Sequence, residues 1–291
     1  MNHPFDLLQS NLLDLLYELR TSEIRLIVCG GYGLYLKHQW IEKTNASTLL
    51  SFIPAARSTN DLDLFLATQV LVDREKAKTV LEAIQALQYM AIENRENYQF
   101  SKEFNHDGQL FRVKFDFLTK MPDDPSEVKL LEVQEIRVKN KGRGGIHAHL
   151  TIEAIAVEDN PAPMEIVGSR TTGEGYGSRV YVPQAYAYLM MKLFAFRDWE
   201  AKKQNPSYAR KHALDLYTIV AMMTEEELVT AEAASQRYGH TEAAQEAARI
   251  VNEFFSQTTA MGSIRLREHQ SFDLNAGADE FMSILMGLFR T

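Results

Sequence analysis

Two aspartates separated by one residue, Asp61 and Asp63, stand in the run Arg57-Ser58-Thr59-Asn60-Asp61-Leu62-Asp63-Leu64 and carry the strongest chemical signal in the chain. In an extended strand side chains two apart point the same way, so both carboxylates face one side, within reach of a shared divalent cation. Oxygen ligands of this kind suit Mg²⁺, particularly when triphosphate oxygens complete the octahedron. The same spacing is also what the polar face of any half-exposed strand shows. Gly30-Gly31 falls between an apolar run and a helical pattern. It reads either as a plain tight turn or as a place where bare backbone N–H groups approach phosphate oxygens. In Val113-Lys114-Phe115-Asp116-Phe117-Leu118 the alternation groups Lys114, Asp116 and Leu118. Asp116 is therefore either a third metal ligand and base or a surface charge.

Farther along, Tyr186 to Arg197 (YAYLMMKLFAFR) places Lys192 beside an apolar stripe of Leu189, Leu193 and Phe196. Such a lysine either reaches a ligand or snorkels to solvent. Lys192 and Arg197 are five apart, about 140° round a helix, and need not share a face. Lys211 and Asp215 are i, i+4 neighbours and sit side by side, which by itself predicts no more than a surface salt bridge worth less than about 1 kcal/mol.

The elements that must position these residues can be read from hydrophobic period. A helix is expected over 5–20, a strand over Arg25–Cys29, and a helix over Tyr32–Trp40. Ile41–Ala56 shows no period and reads as an irregular insertion. Asp61–Ala67 alternates as a half-buried strand, and a helix follows over 74–87. Strands are expected over 98–104 and 110–118, joined by the turn signal Asn105-His106-Asp107-Gly108. From Val128 to Val182 the chain reads as β-rich, with strands over 132–138, 146–157 and 179–182. The glycine-rich run Gly168–Gly177 reads as a mobile loop, since it lacks the Gly-Lys-Ser/Thr ending of a P-loop. Beyond Pro183 helices are expected over 184–203, 207–223, 225–237, 241–256 and 278–289. Pro183 thus divides an α/β part, 1–182, from a helical part, 183–291, with the site expected in a cleft between them.

Composition narrows the class. The 291 residues, 45% hydrophobic and 24% charged, are enough for a packed core and argue against a disordered chain. The 31 basic and 39 acidic side chains give a net charge of -8, which excludes a protein that coats nucleic acid non-specifically. Residues 1–180 carry 20 basic against 25 acidic side chains and residues 181–291 carry 11 against 14, so neither part is a basic domain. Any RNA contact must come from local clusters. One is Arg137, Lys139, Lys141 and Arg143, equally readable as a solvated hairpin tip; another is Lys202, Lys203, Arg210 and Lys211, near the helical motif. His147 and His149 are two apart, but no cysteine or histidine partner has zinc spacing. The single cysteine, Cys29, ends an apolar strand as an inert thiol, and no internal disulfide is possible. With no signal segment and no stretch near ~18 apolar residues, the expectation is a cytoplasmic protein with no membrane contact.

A strand, a Gly-Gly turn, a helix, a strand with Asp-X-Asp and a later strand with a third Asp together resemble the nucleotidyltransferase superfamily of the DNA polymerase β type. The order Arg57-X-Thr59-X-Asp61-Leu-Asp63, then Lys192-Leu-X-Ala, then Lys211 four before Asp215-Leu-Tyr, is similar to the AbiEii/AbiGii (MenT-like) toxin family, over about 24–220. The resemblance implies an α+β fold, a polymerase β-like mixed sheet with flanking helices followed by a C-terminal helical bundle. It implies Mg²⁺-dependent transfer of a nucleotide from an NTP, in several members onto the 3′ end of tRNA, and a neighbouring antitoxin. Residue by residue, Gly30 and Gly31 match the phosphate-binding turn, Asp61 and Asp63 the metal pair, and Thr59, preceded by Ser58 and Arg57, the hydroxyl residue near the phosphates. Lys192 matches the triphosphate lysine, Lys211 and Asp215 the last motif, and Asp116 the third carboxylate, as metal ligand or base. Two departures stand out: 29 residues lie between Gly31 and Asp61, longer than is usual in the family, and His212 stands where an acidic residue is common. The insertion is accordingly expected to form a lid or to displace the pair. The acceptor is expected to be RNA, with a small molecule or a protein hydroxyl as the alternative. A catalytically inactive binding protein of the same fold is the remaining reading.

Overall fold

The structure is a computed structural model describing residues 4–57, 59–95, 97–106, 109–134, 136–142, 144–203, 205–273 and 276–290. Its elements are α1 (Pro4–Glu18), β1 (Ile27–Val28), α2 (Gly30–Thr44), β2 (Asp61–Phe65), α3 (Thr68–Val72), α4 (Arg74–Ala86), β3 (Met90–Ala91), β4 (Gln99–His106) and β5 (Gln109–Thr119). There follow α5 (Pro125–Val128), β6 (Leu131–Gln134), β7 (Arg137–Asn140), β8 (Ala148–Leu150), β9 (Ala162–Ser169) and β10 (Gly175–Val182). The remainder is helical: α6 (Ala185–Lys202), α7 (Pro206–Ala221), α8 (Glu225–Tyr238), α9 (Glu242–Phe255), α10 (Met261–Arg267) and α11 (Ala278–Leu288).

The chain forms two compact units: Met1–Gly33 with Arg57–Ile152 and Ala162–Val182, and Leu34–Ala56 with Glu153–Pro161 and Pro183–Thr291. The first holds a mixed sheet of order β6-β7-β8-β5-β2-β1-β10-β9, with β4 also on β5 and β3 on β4. The α+β expectation holds. β2 runs antiparallel to β1 and parallel to β5, with Asp61 opposite Lys114 and Asp63 opposite Asp116. Period 2 decides its faces: Leu62 and Leu64 are fully buried, while Asp61 and Asp63 stand on the other side. The apolar stripe of α1, with Leu8, Leu12, Leu15 and Leu16, is buried against the sheet. Asp73 caps α4 by accepting from the Glu75 and Lys76 N–H groups.

Some expectations change. The predicted strand over 146–157 shrinks to β8, because the chain leaves the sheet after Thr151; the predicted strand over 132–138 is the hairpin β6–β7. Period alone cannot place a turn inside a β-rich run. The glycine-rich run is the turn of the β9–β10 hairpin rather than a loose loop. Its Arg170 guanidinium binds Asp14 at 3.1 Å and Glu174 at 2.9 Å and lies 3.7 Å from the Tyr17 ring centre, while Thr171 donates to Asp14. Asp107 and Gly108 of the predicted 105–108 turn lie outside the described residues. Helices α3 and α10 carried too few turns to show a period.

In the second unit α6 packs on α7 across a short connection in which Asn205 caps α7 and Pro206 takes its first turn. Thr224 and Glu227 form a capping box at the start of α8. Phe196, Tyr217, Phe255 and Phe281 are fully buried and in mutual ring contact. The 41–56 insertion is not wholly irregular. It begins as the end of α2, and then the Leu49 N–H donates to the Met223 carbonyl, Tyr217 Oη donates to the Phe52 carbonyl, and Leu50 is buried. Among the described residues no helix is long and apolar enough to cross a membrane.

Glu153 of this unit is pushed up to about 7, first by burial and then by Asp198, against the pull of Arg197. The folded state therefore holds its proton more tightly than the unfolded chain does, and stability falls as pH rises from about 4.5 to about 7. Glu153→Gln should raise stability at pH 8 by roughly 1–3 kcal/mol and change little at pH 4. Urea titrations of both proteins at the two pH values check this; an unchanged difference between them would refute it.

Candidate active site

Strand pairing, not sequence proximity, assembles the site. The Cys29 N–H donates to the Asp63 carbonyl at 2.8 Å, which brings the β1–α2 turn against β2. Gly30 opens α2 with φ +63°. A Cβ on it would fall 1.7 Å from Asp63 Oδ2, so only glycine lets this carboxylate rest on the helix start. At Gly31 a Cβ would lie 3.4 Å from both Arg57 Nη1 and Thr59 Cβ, so those two side chains converge on the same turn. Thr59 Oγ1 accepts from the Asp61 N–H at 3.3 Å, closing a local turn that leads into β2. Gly30, Gly31, Arg57 and Thr59 thus stand together on the β1 flank of the carboxylates; Ser58 lies outside the described residues.

On the other flank Asp116 faces Asp63 across the β2–β5 pair, and Lys114 faces Asp61. Lys114 Nζ is 3.2 Å from Asp61 Oδ1. The approach lacks hydrogen-bond geometry, so that buried oxygen accepts no hydrogen bond. Asp116 Oδ1 is likewise buried without a hydrogen-bond partner. The Asp116 carboxyl is pushed up to about 7 by burial, then by Asp63 and Asp61; Lys114 and Arg95 pull it the other way. Like charges packed this closely call for a cation. Among the described residues no three carboxylate, histidine or cysteine side chains form a ready-made metal cage. Mg²⁺ does not require one, because it is typically held by one or two carboxylates plus substrate phosphates. The donor set therefore fits that ion.

Beside Asp61 and Asp116 opens a pocket of about 400 Å³ whose wall carries Arg95, Arg112 and Lys114. Of the three, only Lys114 was named from the sequence, as a neighbour of Asp116 on one strand face. The signal was present in part: Gln99 and Ser101 on β4, and Arg112, Lys114 and Asp116 on β5, recur at two-residue spacing and share a face through their register. Arg95 lies in a turn and is tied to Gln99 Oε1 at 2.7 Å, which no period reveals.

The helical motif residues belong to the second unit. Lys192 is 6% exposed and Asp215 2%, and Lys192 Nζ donates to Asp215 Oδ2 at 2.7 Å. Lys192 does not snorkel, and Asp215, expected beside Lys211, binds the lysine of the neighbouring helix. A charge pair so buried is costly to desolvate and is sustained by its partner. Lys211 Nζ sits 4.9 Å from the Tyr208 ring centre; Tyr208 stacks on Trp199 at 4.2 Å, and Lys202 lies 4.3 Å over Trp199. His212 Nδ1 is 4.0 Å from Asp215 Oδ2. Of the cluster over 137–143, Lys139 pairs with Glu132, Arg137 donates to Gln134 and Lys141 to the Lys129 carbonyl, while Arg143 lies outside the described residues. His147 is driven down to about 4 by burial and by Arg137 and Lys139, and His149 stacks near Tyr98.

The chain is a nucleotidyltransferase. Its residues 14–280 match the model of the nucleotidyl transferase AbiEii toxin family of type IV toxin–antitoxin systems, and it belongs to that family. No curated protein matches it. Among solved structures it is similar to the solution structure of the antibiotic-resistance factor ANT(2'')-Ia, at 12% identity and a TM-score of 0.37, over 80% of this chain and 95% of that one.

Proposed function

We propose that the chain transfers a nucleotide from an NTP to the 3′ end of an RNA, tRNA foremost, with Mg²⁺, and that it acts as a toxin held in check by an antitoxin protein. The observation that carries the reading is the facing pair Asp63–Asp116 with Asp61 beside it, set between the glycine turn and a basic wall. Asp61 and Asp63 hold the metal and Asp116 assists them or takes the proton of the attacking hydroxyl. When bound, Mg²⁺ neutralises charge on the transferred phosphate. Gly30 and Gly31, with Arg57, Ser58 and Thr59, hold the triphosphate; for Lys192, Lys211 and Asp215 of the second unit a role toward the nucleotide is proposed on their resemblance to the family's motifs alone. The acceptor oxygen bonds to the α-phosphorus, the bond from that phosphorus to the bridging oxygen breaks, and pyrophosphate leaves with the electron pair. The hydroxyl proton passes to Asp116 or to water. With a net charge of -8, RNA contact is local and salt-sensitive.

The test supplies purified protein with Mg²⁺, each labelled NTP in turn, and total RNA. Label should appear in RNA, tRNA above all, and EDTA should abolish it. Label in protein or in a small product, or transfer that survives EDTA, overturns this reading.

A further inference from the structure

We propose that the pocket beside Asp116 seats the phosphodiester backbone at the 3′ end of the acceptor RNA, with Arg95 and Arg112 as its phosphate contacts. The inference rests on the reading just given and adds where the acceptor binds. Displacement at phosphorus is roughly in line, so the attacking oxygen must enter opposite the leaving pyrophosphate. The sheet offers two distinct cationic places on either flank of β2. On the β1 flank are the helix start at Gly31 and the Arg57 and Thr59 side chains that converge on it. On the β5–β4 flank are Arg95, Arg112 and Lys114 around the pocket. If the triphosphate lies along the first, the hydroxyl arrives from the second, past Asp116.

The pocket's chemistry fits that occupant. Its volume, about 400 Å³, is that of a small-molecule site rather than a duplex groove, so it takes the end of a single strand. Ser101 is opposite Lys114, Gln99 is opposite Asp116, and Arg112 is opposite Glu103, so polar and charged side chains of both strands line one face. Arg95 is exposed and donates to the neutral Gln99 amide, and Arg112 is more than half exposed although it pairs with Glu103. The two carboxylates of the wall are the ones a divalent ion would neutralise. With that ion in place, the guanidinium groups dominate the field that an incoming phosphate meets.

The experiment compares wild type with Arg95→Gln, Arg112→Gln and the double variant, after thermal melts have shown that all are folded. Binding of a fluorescent single-stranded RNA is followed by anisotropy at several salt concentrations with Mg²⁺ present and NTP absent, and NTP binding by calorimetry. Steady-state KM for RNA and for NTP is measured with Mg²⁺. The double variant should bind RNA about tenfold more weakly, with a salt slope shallower by about 1.4 for two lost phosphate contacts. Its RNA KM should rise in parallel, while NTP binding and NTP KM stay put. Weakened NTP binding with unchanged RNA binding would make this the nucleotide pocket and overturn the proposal. If wild type labels RNA and the variants match it in every measurement, the proposal fails alone. If wild type labels no RNA, the proposed function fails and takes this inference with it.

Discussion

The double variant Asp61→Asn/Asp63→Asn is expected to lose nucleotide transfer by about 10³-fold or more while melting close to wild type. Asparagine keeps the volume of each side chain, so the contact of residue 63 with the Gly30 helix start survives. What disappears is two negative charges on one face of β2. The Lys114–Asp61 pair also goes, but both side chains are about one-third exposed, and such a pair contributes little to stability. Loss of several kcal/mol of electrostatic stabilisation in the transition state, with the fold intact, separates a metal-holding pair from the polar face of an ordinary strand. The assay is labelled NTP transfer alongside circular dichroism. Transfer at the wild-type rate would remove Asp61 and Asp63 from the chemistry.

Gly30→Ala should be the most damaging single-methyl change in the first unit. Alanine at φ +63° is strained, and its Cβ would sit 1.7 Å from Asp63 Oδ2, a separation no side chain tolerates. The Asp63 carboxylate must swing off the helix start, or β2 or α2 must shift, at a cost of about 1–3 kcal/mol when backbone strain and crowding combine. The same shift displaces Asp63 from Asp116, so transfer should fall at least about 100-fold even in the folded fraction. Gly31→Ala is the control: its φ is not positive and its Cβ would meet neighbours only at 3.4 Å, so it should stay within about 1 kcal/mol of wild type. Equal urea midpoints for the two alanine variants would sink the argument.

The parts of the fold that were legible in the sequence are those whose period is long and clean. Asp61–Ala67 alternates over enough residues to give β2 and its faces, and α9 shows its buried stripe over several turns, whereas α6 and α7, buried on nearly every side, were legible by length and apolar content. β9 could not be read, because Ala162–Ser169 includes Pro163 and Gly168, which look like loop residues, yet it pairs with β10 along its whole length. The carboxylates were visible because two aspartates on one strand share a face by geometry alone. The arginines of the pocket were not, since β4 meets β5 by a register that sequence does not carry, and Arg95 sits in a turn. The Lys192–Asp215 bond joins two helices across 23 positions, whereas reading along one helix proposed the neighbour Lys211.

The backbone bond from Cys29 to the Asp63 carbonyl bridges a stretch in which the chain leaves the first unit at Leu34 and returns at Arg57. What fixes the glycine turn on the carboxylate is that ladder, so the length of the excursion is free to drift. Insertions or deletions in the exposed stretch around Glu42–Asn45 should be tolerated. One residue gained or lost within β2 has the opposite fate. It would turn Asp61 and Asp63 into the core and Leu62 and Leu64 onto the reacting face, so a length change tolerated at Glu42–Asn45 should abolish transfer when placed in β2.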